Sequence, residues 1–203
     1  PGTRAMPEVP QGSQFEDLFR DFFERQRRGE KSRPGRVQSL GSGFIIDPAG
    51  YVVTNNHVIK DADEITVILS DDRELRATVL GHDPKTDLAL LKVETDEPLP
   101  FVEFGDSDAI RVGDWVMAIG NPFGLGNTVT AGILSARGRD IKVGPYDDFL
   151  QTDAPINRGN PGGRLFNMDG EVIGINTAIF SPTGGSVGIG FSIPSAIAEP
   201  VLS

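Results

Sequence analysis

A histidine, an aspartate and a glycine-rich loop are the features of this chain whose residue types could do chemistry. His57 follows the apolar segment Tyr51–Thr54, Asp87 stands at the start of another apolar run, and Gly159–Gly163 reads Gly-Asn-Pro-Gly-Gly. A histidine can serve as a general base, an aspartate can orient it, and glycines let a loop present backbone N–H groups to an oxyanion. Taken singly, each also has a structural explanation: packing, capping and an ordinary turn.

The order of these features along the chain makes the chemical explanation more specific. Histidine, aspartate and then a glycine-rich loop is the order of the triad parts in chymotrypsin-like enzymes. His57 and Asp87 are close enough in sequence to share one barrel, and the loop around Pro161 lies far enough downstream to belong to a second. The sequence therefore predicts a site in the cleft between two barrels.

Composition excludes several other classes of site. The 203 residues carry a formal net charge of −10, which argues against nucleic acid as a partner. With no cysteines and two histidines, thiolate and three-histidine metal sites are excluded, and we expect no metal or cofactor. The loop Gly120–Gly126 lacks the Lys-Ser/Thr of a phosphate-binding loop, so we expect no nucleotide. No apolar run reaches the roughly 20 residues of a membrane span, and no signal peptide is visible.

Short apolar runs between turns set the predicted fold class. The chain contains 25 Gly and 15 Pro, and Val- and Ile-rich runs recur about every 10 residues, as in sandwiches and barrels. Hairpin turns are predicted at Asp47–Gly50 and Asn167–Gly170, and a helical segment at Ser195–Leu202. Similar strand–turn–strand units in the two halves hint at two related barrels. The predicted strands are Gly43–Ile46, Tyr51–Thr54, Ile65–Leu69, Leu75–Leu80, Leu88–Val93, Trp115–Ile119, Val129–Leu134, Val172–Ile175 and Gly188–Ile193.

The N-terminal region differs in composition and periodicity from the strand-rich remainder of the chain. Residues 1–12 are polar and are expected to form a flexible tail, and an amphipathic helix with a capping box at Ser13 and Glu16 is predicted to follow. Its apolar stripe packs either on the chain's own barrel or against another subunit or loop, and both alternatives stay open. Residues 24–36 are basic and predict a mobile, solvated loop, with a polyanion-binding patch as the alternative. The stripe consists of Phe15, Leu18, Phe19, Phe22 and Phe23.

Seven segments match one known family in order: Gly41–Ile46, Val53–Val58, Asp83–Leu90, Ala118–Gly126, Gln151–Ala154, Ile156–Asn160 and Gly188–Pro194. Together they resemble the HtrA/Deg family of trypsin-like serine proteases over about residues 38–202. The resemblance implies two six-stranded antiparallel β-barrels, at roughly 38–110 and 111–194, within a protease domain of residues 38–203. It implies ATP-independent endoproteolysis of unfolded proteins in the bacterial periplasm, a homotrimer or higher homo-oligomer, and PDZ domains that would begin about where this chain ends. Residues 1–37 would correspond to the family's N-terminal segment and long mobile loop.

The resemblance also implies roles for single residues. His57 would be the general base, and Asp87 would orient it and stabilise the imidazolium that forms. Gly159 would contribute one N–H to the oxyanion hole. The primary specificity pocket would be lined near Ile156 and Ile179 and would favour small aliphatic side chains such as that of valine.

The family pattern breaks at the nucleophile. Where the family has Gly-Asn-Ser-Gly-Gly-Pro, this chain has Gly-Asn-Pro-Gly-Gly-Arg, so Pro161 replaces the serine and Arg164 replaces a proline. Proline has neither a hydroxyl nor a backbone N–H, so a nucleophile and an oxyanion donor are lost together. The sequence predicts a serine endopeptidase domain that is inactive in this copy. Ser181, Ser186 and Ser192 lie downstream, but none of them stands in such a turn.

A non-cleaving function is the alternative prediction. A pseudoprotease or holdase would keep the cleft and bind unfolded polypeptides without cutting them. Deliberate inactivation, natural variation and a misassigned sequence would each account for Pro161 and Arg164, and the retained His57 and Asp87 fit a recent or artificial loss.

Overall fold

The computed structural model describes residues 41–60, 62–121, 127–141, 148–156, 160–179 and 186–202. All of them lie in one compact unit, Ser39–Ser203. The amphipathic helix and the basic loop predicted before residue 37 lie outside the described residues.

The first part of the described chain forms an open antiparallel sheet of five strands. The elements are β1 (Phe44–Asp47), β2 (Tyr51–Asn55), the short helix α1 (Asn56–Ile59), β3 (Ile65–Ile68), β4 (Glu74–Asp83) and β5 (Leu88–Val93). The strands are ordered β1-β2-β5-β4-β3. A turn joins β1 to β2, in which the Asp47 carboxylate accepts the Ala49 N–H at 2.8 Å and Gly50 takes a φ of 94°. Glycine suits this position because it has no Cβ to oppose a positive φ.

The second part forms a closed barrel of six antiparallel strands. They are β6 (Trp115–Gly120), β7 (Thr128–Arg139), β8 (Phe149–Thr152), β9 (Arg164–Phe166), β10 (Val172–Ile179) and β11 (Gly190–Pro194). Around the barrel they follow the order β10-β11-β8-β7-β6-β9. Apolar side chains fill the barrel, among them Val116, Leu134, Leu150, Leu165 and Ile173, each at most 2% exposed. Closure leaves no free sheet edge in this half.

The two sheets pack against each other through one shared apolar cluster. Strands β1, β2 and β5 contribute Phe44, Val53 and Leu88, and the barrel contributes Phe166, Val172, Ile175 and Phe191. Burial of large apolar side chains from both sheets holds the ends of β2, β5 and β10 in a fixed relation. The residues at these strand ends form the candidate site.

A C-terminal helix closes the described chain. Helix α2 spans Ser195–Leu202, and its buried first residue is held by two hydrogen bonds. The Ser195 hydroxyl donates to the Gly105 carbonyl at 2.5 Å and accepts the Ser107 N–H at 3.2 Å. Ala198 packs into the shared apolar cluster, which anchors the helix.

The all-β fold class and the C-terminal helix predicted from the sequence are confirmed. The second barrel has the six strands expected. The first sheet has five strands within the described ranges and is open, where the resemblance implied six. Within the same ranges, no helix has the length and apolar character needed to cross a membrane.

Candidate functional site

The structure brings His57 and Asp87 together at the end of the first sheet. His57 lies in α1, directly after β2, and Asp87 immediately precedes β5, which pairs with β2. The imidazole Nδ1 lies 2.6 Å from Asp87 Oδ2, and the His57 backbone N–H donates to Asp87 Oδ1 at 2.9 Å. Both carboxylate oxygens are therefore engaged by one residue, which fixes the ring relative to the acid. The two side chains are 48% and 30% exposed, so the pair lies at the surface.

A buried asparagine holds the backbone of Asp87 in an unusual conformation. Asp87 has a φ of 57°, in the left-handed region that costs free energy for a residue with a Cβ. Its carbonyl accepts the Asn55 side-chain amide and the Asn56 N–H, each at 3.0 Å. Asn55 is 0% exposed, and its Oδ1 has no hydrogen-bond partner among the described residues. The bonds to this carbonyl tie the strained turn to the end of β2.

Thr177 contributes a third hydrogen bond to the Asp87 carboxylate. Its hydroxyl, on β10 of the second barrel, donates to Asp87 Oδ2 at 2.8 Å. Burial raises the pKa of Asp87, but the hydrogen bonds from the His57 side chain, the His57 N–H and Thr177 outweigh it, and the pKa is lowered overall. The carboxylate is therefore ionised at neutral pH and can accept the Nδ1 proton of the imidazole.

The turn at Asn160–Gly163 is fixed by backbone hydrogen bonds. The Pro161 carbonyl accepts the Ser42 N–H at 2.9 Å, and the Gly162 N–H donates to the Asn176 carbonyl at 2.8 Å. The Gly163 N–H donates to the Asn160 carbonyl, also at 2.8 Å. The N–H groups of both glycines after Pro161 are thus already hydrogen-bonded to carbonyls of the protein.

Glycine is required at position 162 by conformation and by space. Gly162 has a φ of 85°, and a Cβ there would collide with the Ser42 carbonyl and lie 2.5 Å from the Thr54 hydroxyl. Thr54 Oγ1 in turn donates to the Ser42 carbonyl at 2.7 Å. Because Thr54 lies at the end of β2, just before α1, the turn packs against the segment that carries the histidine.

Pro161 therefore stands in an ordered turn that, like Asp87, is hydrogen-bonded to strand β10. The turn bonds to Asn176, and the next residue on β10, Thr177, bonds to Asp87. Position 161 itself offers neither a hydroxyl nor an N–H. Gly159, the residue predicted to supply an oxyanion N–H, lies outside the described residues.

Arg164 places a cation in an apolar setting three residues after Pro161. Its guanidinium carbon lies 5.6 Å from the centroid of the Phe166 ring, and its Nε is buried with no hydrogen-bond partner among the described residues. Burial lowers the pKa of the guanidinium. A buried donor without an acceptor typically costs about 1–3 kcal/mol, partly offset here by the cation–π contact.

The two residues predicted to line a specificity pocket lie close together. Ile156 is 2% exposed within the barrel core, and Ile179, at the end of β10, packs against the same cluster. A Cβ at Gly190 on β11 would lie 2.7 Å from the Ile156 side chain, so the strand passes directly over it. Their role in specificity stays a prediction.

Ser192, one of the downstream serines, is not available as a nucleophile. Ser192 is buried, and its hydroxyl donates to Asn176 Oδ1 at 2.8 Å. Ser186 is half-buried and follows the undescribed residues 180–185, which include Ser181. In the described ranges no three acidic or imidazole side chains are grouped closely enough to hold a metal ion.

Sequence reasoning missed three supporting residues: Thr177, Asn55 and Ser42. Asn55 stands inside the Val53–Val58 motif, two residues before His57, and that position was the available signal. No local signal marked Thr177, because its contact with Asp87 joins residues from different sheets. Ser42 was missed because its contact also joins distant parts of the chain: its hydroxyl accepts the Asn121 N–H at 2.7 Å.

Comparison with known proteins identifies the family. A family model of the trypsin-like peptidase domain matches residues 41–175. A probable periplasmic serine endoprotease, DegP-like, from Brucella suis is 54% identical over 214 residues, covering 99% of this chain and 42% of that protein. A protein of the same description from Rickettsia conorii is 62% identical over 167 residues, covering 80% of this chain and 33% of that protein.

Solved structures give the same assignment. The HtrA-type protease AlgW with a decapeptide matches with a TM-score of 0.78 and 55% identity over 80% of this chain and 50% of that one. The chain spans less than half the length of the two curated relatives. The family match, the identity over nearly all of the chain and the shared fold lead to one conclusion: this chain belongs to the HtrA/Deg family of trypsin-like serine proteases.

Proposed function

We propose that this chain is the serine endopeptidase domain of a periplasmic protease that degrades unfolded proteins, and that this copy does not cleave them. One observation carries the proposal. His57 and Asp87 are bonded at 2.6 Å, as a general base and its orienting acid need to be, beside a turn that carries Pro161 where the family has its nucleophile.

The chemical argument for inactivity follows from the roles in a triad. In an active copy, His57 would take the proton of a serine hydroxyl while N–H groups stabilise the oxyanion. Pro161 supplies neither group, and the N–H groups of Gly162 and Gly163 bond inside the protein. Loss of the nucleophile alone costs about a millionfold in turnover, so the missing N–H adds little to an already decisive loss.

The substrate, location and assembly are part of the same proposal. The relatives from Brucella and Rickettsia are described as probable periplasmic serine endoproteases, and the AlgW structure holds a decapeptide. For this chain we propose periplasmic location, unfolded polypeptides as partners and a homotrimer or higher homo-oligomer. Ile156 and Ile179 would form the floor of a pocket for small aliphatic side chains, since both belong to one apolar cluster.

The test restores the missing groups. We expect Pro161→Ser with Arg164→Pro to cleave casein and a valine-containing peptide, while the parent chain leaves both intact. His57→Ala in the restored background is the control and should abolish cleavage. A restored chain that folds but cleaves neither substrate would count against the protease assignment, and cleavage by the parent chain would count against inactivity.

A non-cleaving holdase is the second candidate, favoured by the ordered His57–Asp87 pair and turn in a chain without a nucleophile. Such a protein would suppress aggregation of a denatured client in proportion to its concentration. Light scattering of a denaturing client measures this. If the parent chain neither suppresses aggregation nor binds an unfolded client peptide, the candidate is eliminated.

A further inference from the structure

The Nε2 atom of His57 is the unused reactive group of the site. Nδ1 lies 2.6 Å from an ionised carboxylate, which only accepts hydrogen bonds, so Nδ1 carries the proton of the neutral ring and Nε2 carries the lone pair. Among the described residues, none forms a hydrogen bond with Nε2. The side chain as a whole is 48% exposed, so the imidazole lies at the surface.

Pro161 leaves this lone pair unengaged. A serine there would offer Nε2 a hydroxyl proton, whereas proline offers no donor of any kind. The ring is nevertheless held by the same carboxylate that would serve an active triad, and Thr177 and the His57 N–H hold that carboxylate in turn. The result is an oriented, accessible imidazole without its usual partner.

We propose that His57 is itself a nucleophilic catalyst in this chain and hydrolyses small activated esters such as aryl acetates. Histidine is among the side chains that form covalent intermediates in enzymes. This activity rests on the proposed absence of a triad nucleophile, and the experiment below separates the two.

The steps balance without a further reagent. Nε2 attacks the ester carbonyl carbon, the carbon–oxygen bond to the phenol breaks, and the phenolate leaves with the bonding pair. The acyl group is then on Nε2, and the positive charge of the ring is stabilised by the Asp87 carboxylate. Water attacks the acyl carbon, the carbon–nitrogen bond breaks with its electron pair returning to Nε2, and one proton of the water passes to the phenolate. The net reaction is ester plus water to carboxylic acid plus phenol.

The same chemistry does not extend to peptides. An amine leaves only after it is protonated, and His57 is the group that performs this in a triad. When Nε2 is the attacking atom it cannot also carry that proton. A phenolate needs no such help, so the proposed activity is confined to esters with good leaving groups and is compatible with intact casein.

The chain contains its own matched control. It has two histidines and no cysteine, so His82 is the one other imidazole and no thiol competes. His82 is exposed on β4, and within the described ranges no carboxylate is hydrogen-bonded to its ring. Comparison of the two positions therefore isolates the effect of the Asp87 contact.

The experiment measures steady-state hydrolysis of p-nitrophenyl acetate by the parent chain, His57→Ala, His82→Ala and Asp87→Asn. We expect His57→Ala to lose most of the rate above buffer, His82→Ala to lose little, and Asp87→Asn to fall between them. Circular dichroism confirms that each variant is folded. The solvent deuterium isotope effect on p-nitrophenolate release in the first turnover should be near unity, because the nucleophilic attack that releases it moves no proton.

Four results would overturn the proposal: no rate above buffer in the parent chain, a rate that survives His57→Ala, a rate lost equally with His82→Ala, or a large first-turnover isotope effect that indicates general-base activation of water. A casein digest run in parallel reports on the proposed function separately. Cleavage of casein by the parent chain would contradict inactivity, whereas an absent ester activity with intact casein would contradict only the nucleophilic role of His57.

Discussion

At the scale of the residue, the Asp87 carboxylate is the most constrained group of the site. Its two oxygens receive hydrogen bonds from the His57 ring, the His57 N–H and the Thr177 hydroxyl. Its carbonyl is fixed by Asn55 and Asn56. An acid held in this way can orient an imidazole without being protonated itself, because every contact favours its charged form.

Thr177→Val should raise the pKa of Asp87, because it removes one of the hydrogen bonds that lower it while the burial that raises it remains. The free energy of unfolding at neutral pH should fall by about 1.5–3 kcal/mol, the worth of a hydrogen bond to a charged group. Thr177→Ser keeps the hydroxyl and is the matched control. Carboxyl ¹³C NMR titration and urea unfolding measure the two quantities, and an unchanged Asp87 pKa in Thr177→Val would show that this bond is unimportant.

At the scale of the element, the turn at Asn160–Gly163 depends on its backbone more than on its side chains. Its carbonyl and N–H groups bond to Ser42 and to Asn176 on β10. The turn is therefore tied to the segment just before β1 and to strand β10, which keeps position 161 in place although the residue there is a proline. This is why restoring a serine is a reasonable route to activity.

Gly162→Ala should disrupt this turn. The new Cβ would meet the Ser42 carbonyl in a backbone with a φ of 85°, so we expect a loss of unfolding free energy of about 1–3 kcal/mol. Gly170→Ala is a matched control, since Gly170 has a φ of 82° with nothing within 4 Å of its Cβ position. Denaturant unfolding compares the two. Equal losses would mean that φ strain alone, and not the collision, decides the cost.

Much of the element structure could be predicted from the sequence because many strands carry their own signal. The predicted strand Tyr51–Thr54 is observed as Tyr51–Asn55, and Leu88–Val93 is observed with the same bounds. Strands β8 and β9 were missed because each has at most four residues and contains polar or charged positions. Strand pairing such as β6 with β9 joins distant segments, so local pattern does not specify it.

The site likewise contains residues that motifs predict and contacts that only the packed fold creates. His57 and Asp87 could be proposed from motifs, because the chemistry restricts their residue types and their order. The contact of Thr177 with Asp87 could not, because it exists only once β10 packs beside the turn before β5. The same applies to the positive φ of Asp87, which depends on Asn55 at the end of another strand.

At the scale of the whole molecule, the candidate site is held by packing between the two sheets. The shared cluster joins Phe44, Val53 and Leu88 to Phe166 and Ile175. Through it the strand ends that carry Asp87 and Thr177 keep their positions. Carboxylates add a contribution that depends on pH, since several aspartates across the surface are stabilised in their charged form.

Stability should therefore fall on acidification. The pKa is lowered for Asp71, Asp83, Asp87 and Asp114. A carboxyl whose pKa is lowered by folding stabilises the protein above its unfolded value of about 3.9, and this stability is lost as the pH falls through the folded pKa. Urea unfolding at a series of pH values from neutral to below about 3.9 should show the free energy of unfolding decline. The difference in stability between the parent chain and Asp87→Asn should shrink below about pH 4, and a difference that persists there would contradict the assignment.

The most direct test of the account is labelling with a biotinylated alkyl fluorophosphonate, which reacts with a serine that a neighbouring histidine activates and loses fluoride. The central claim is that the site lacks its nucleophile and keeps the machinery around it. The account predicts no serine label on the parent chain, a label at position 161 after Pro161→Ser with Arg164→Pro, and none there when His57→Ala is added. A label on Ser186 or Ser192 of the parent chain, or a folded restored chain that stays unlabelled, would contradict it.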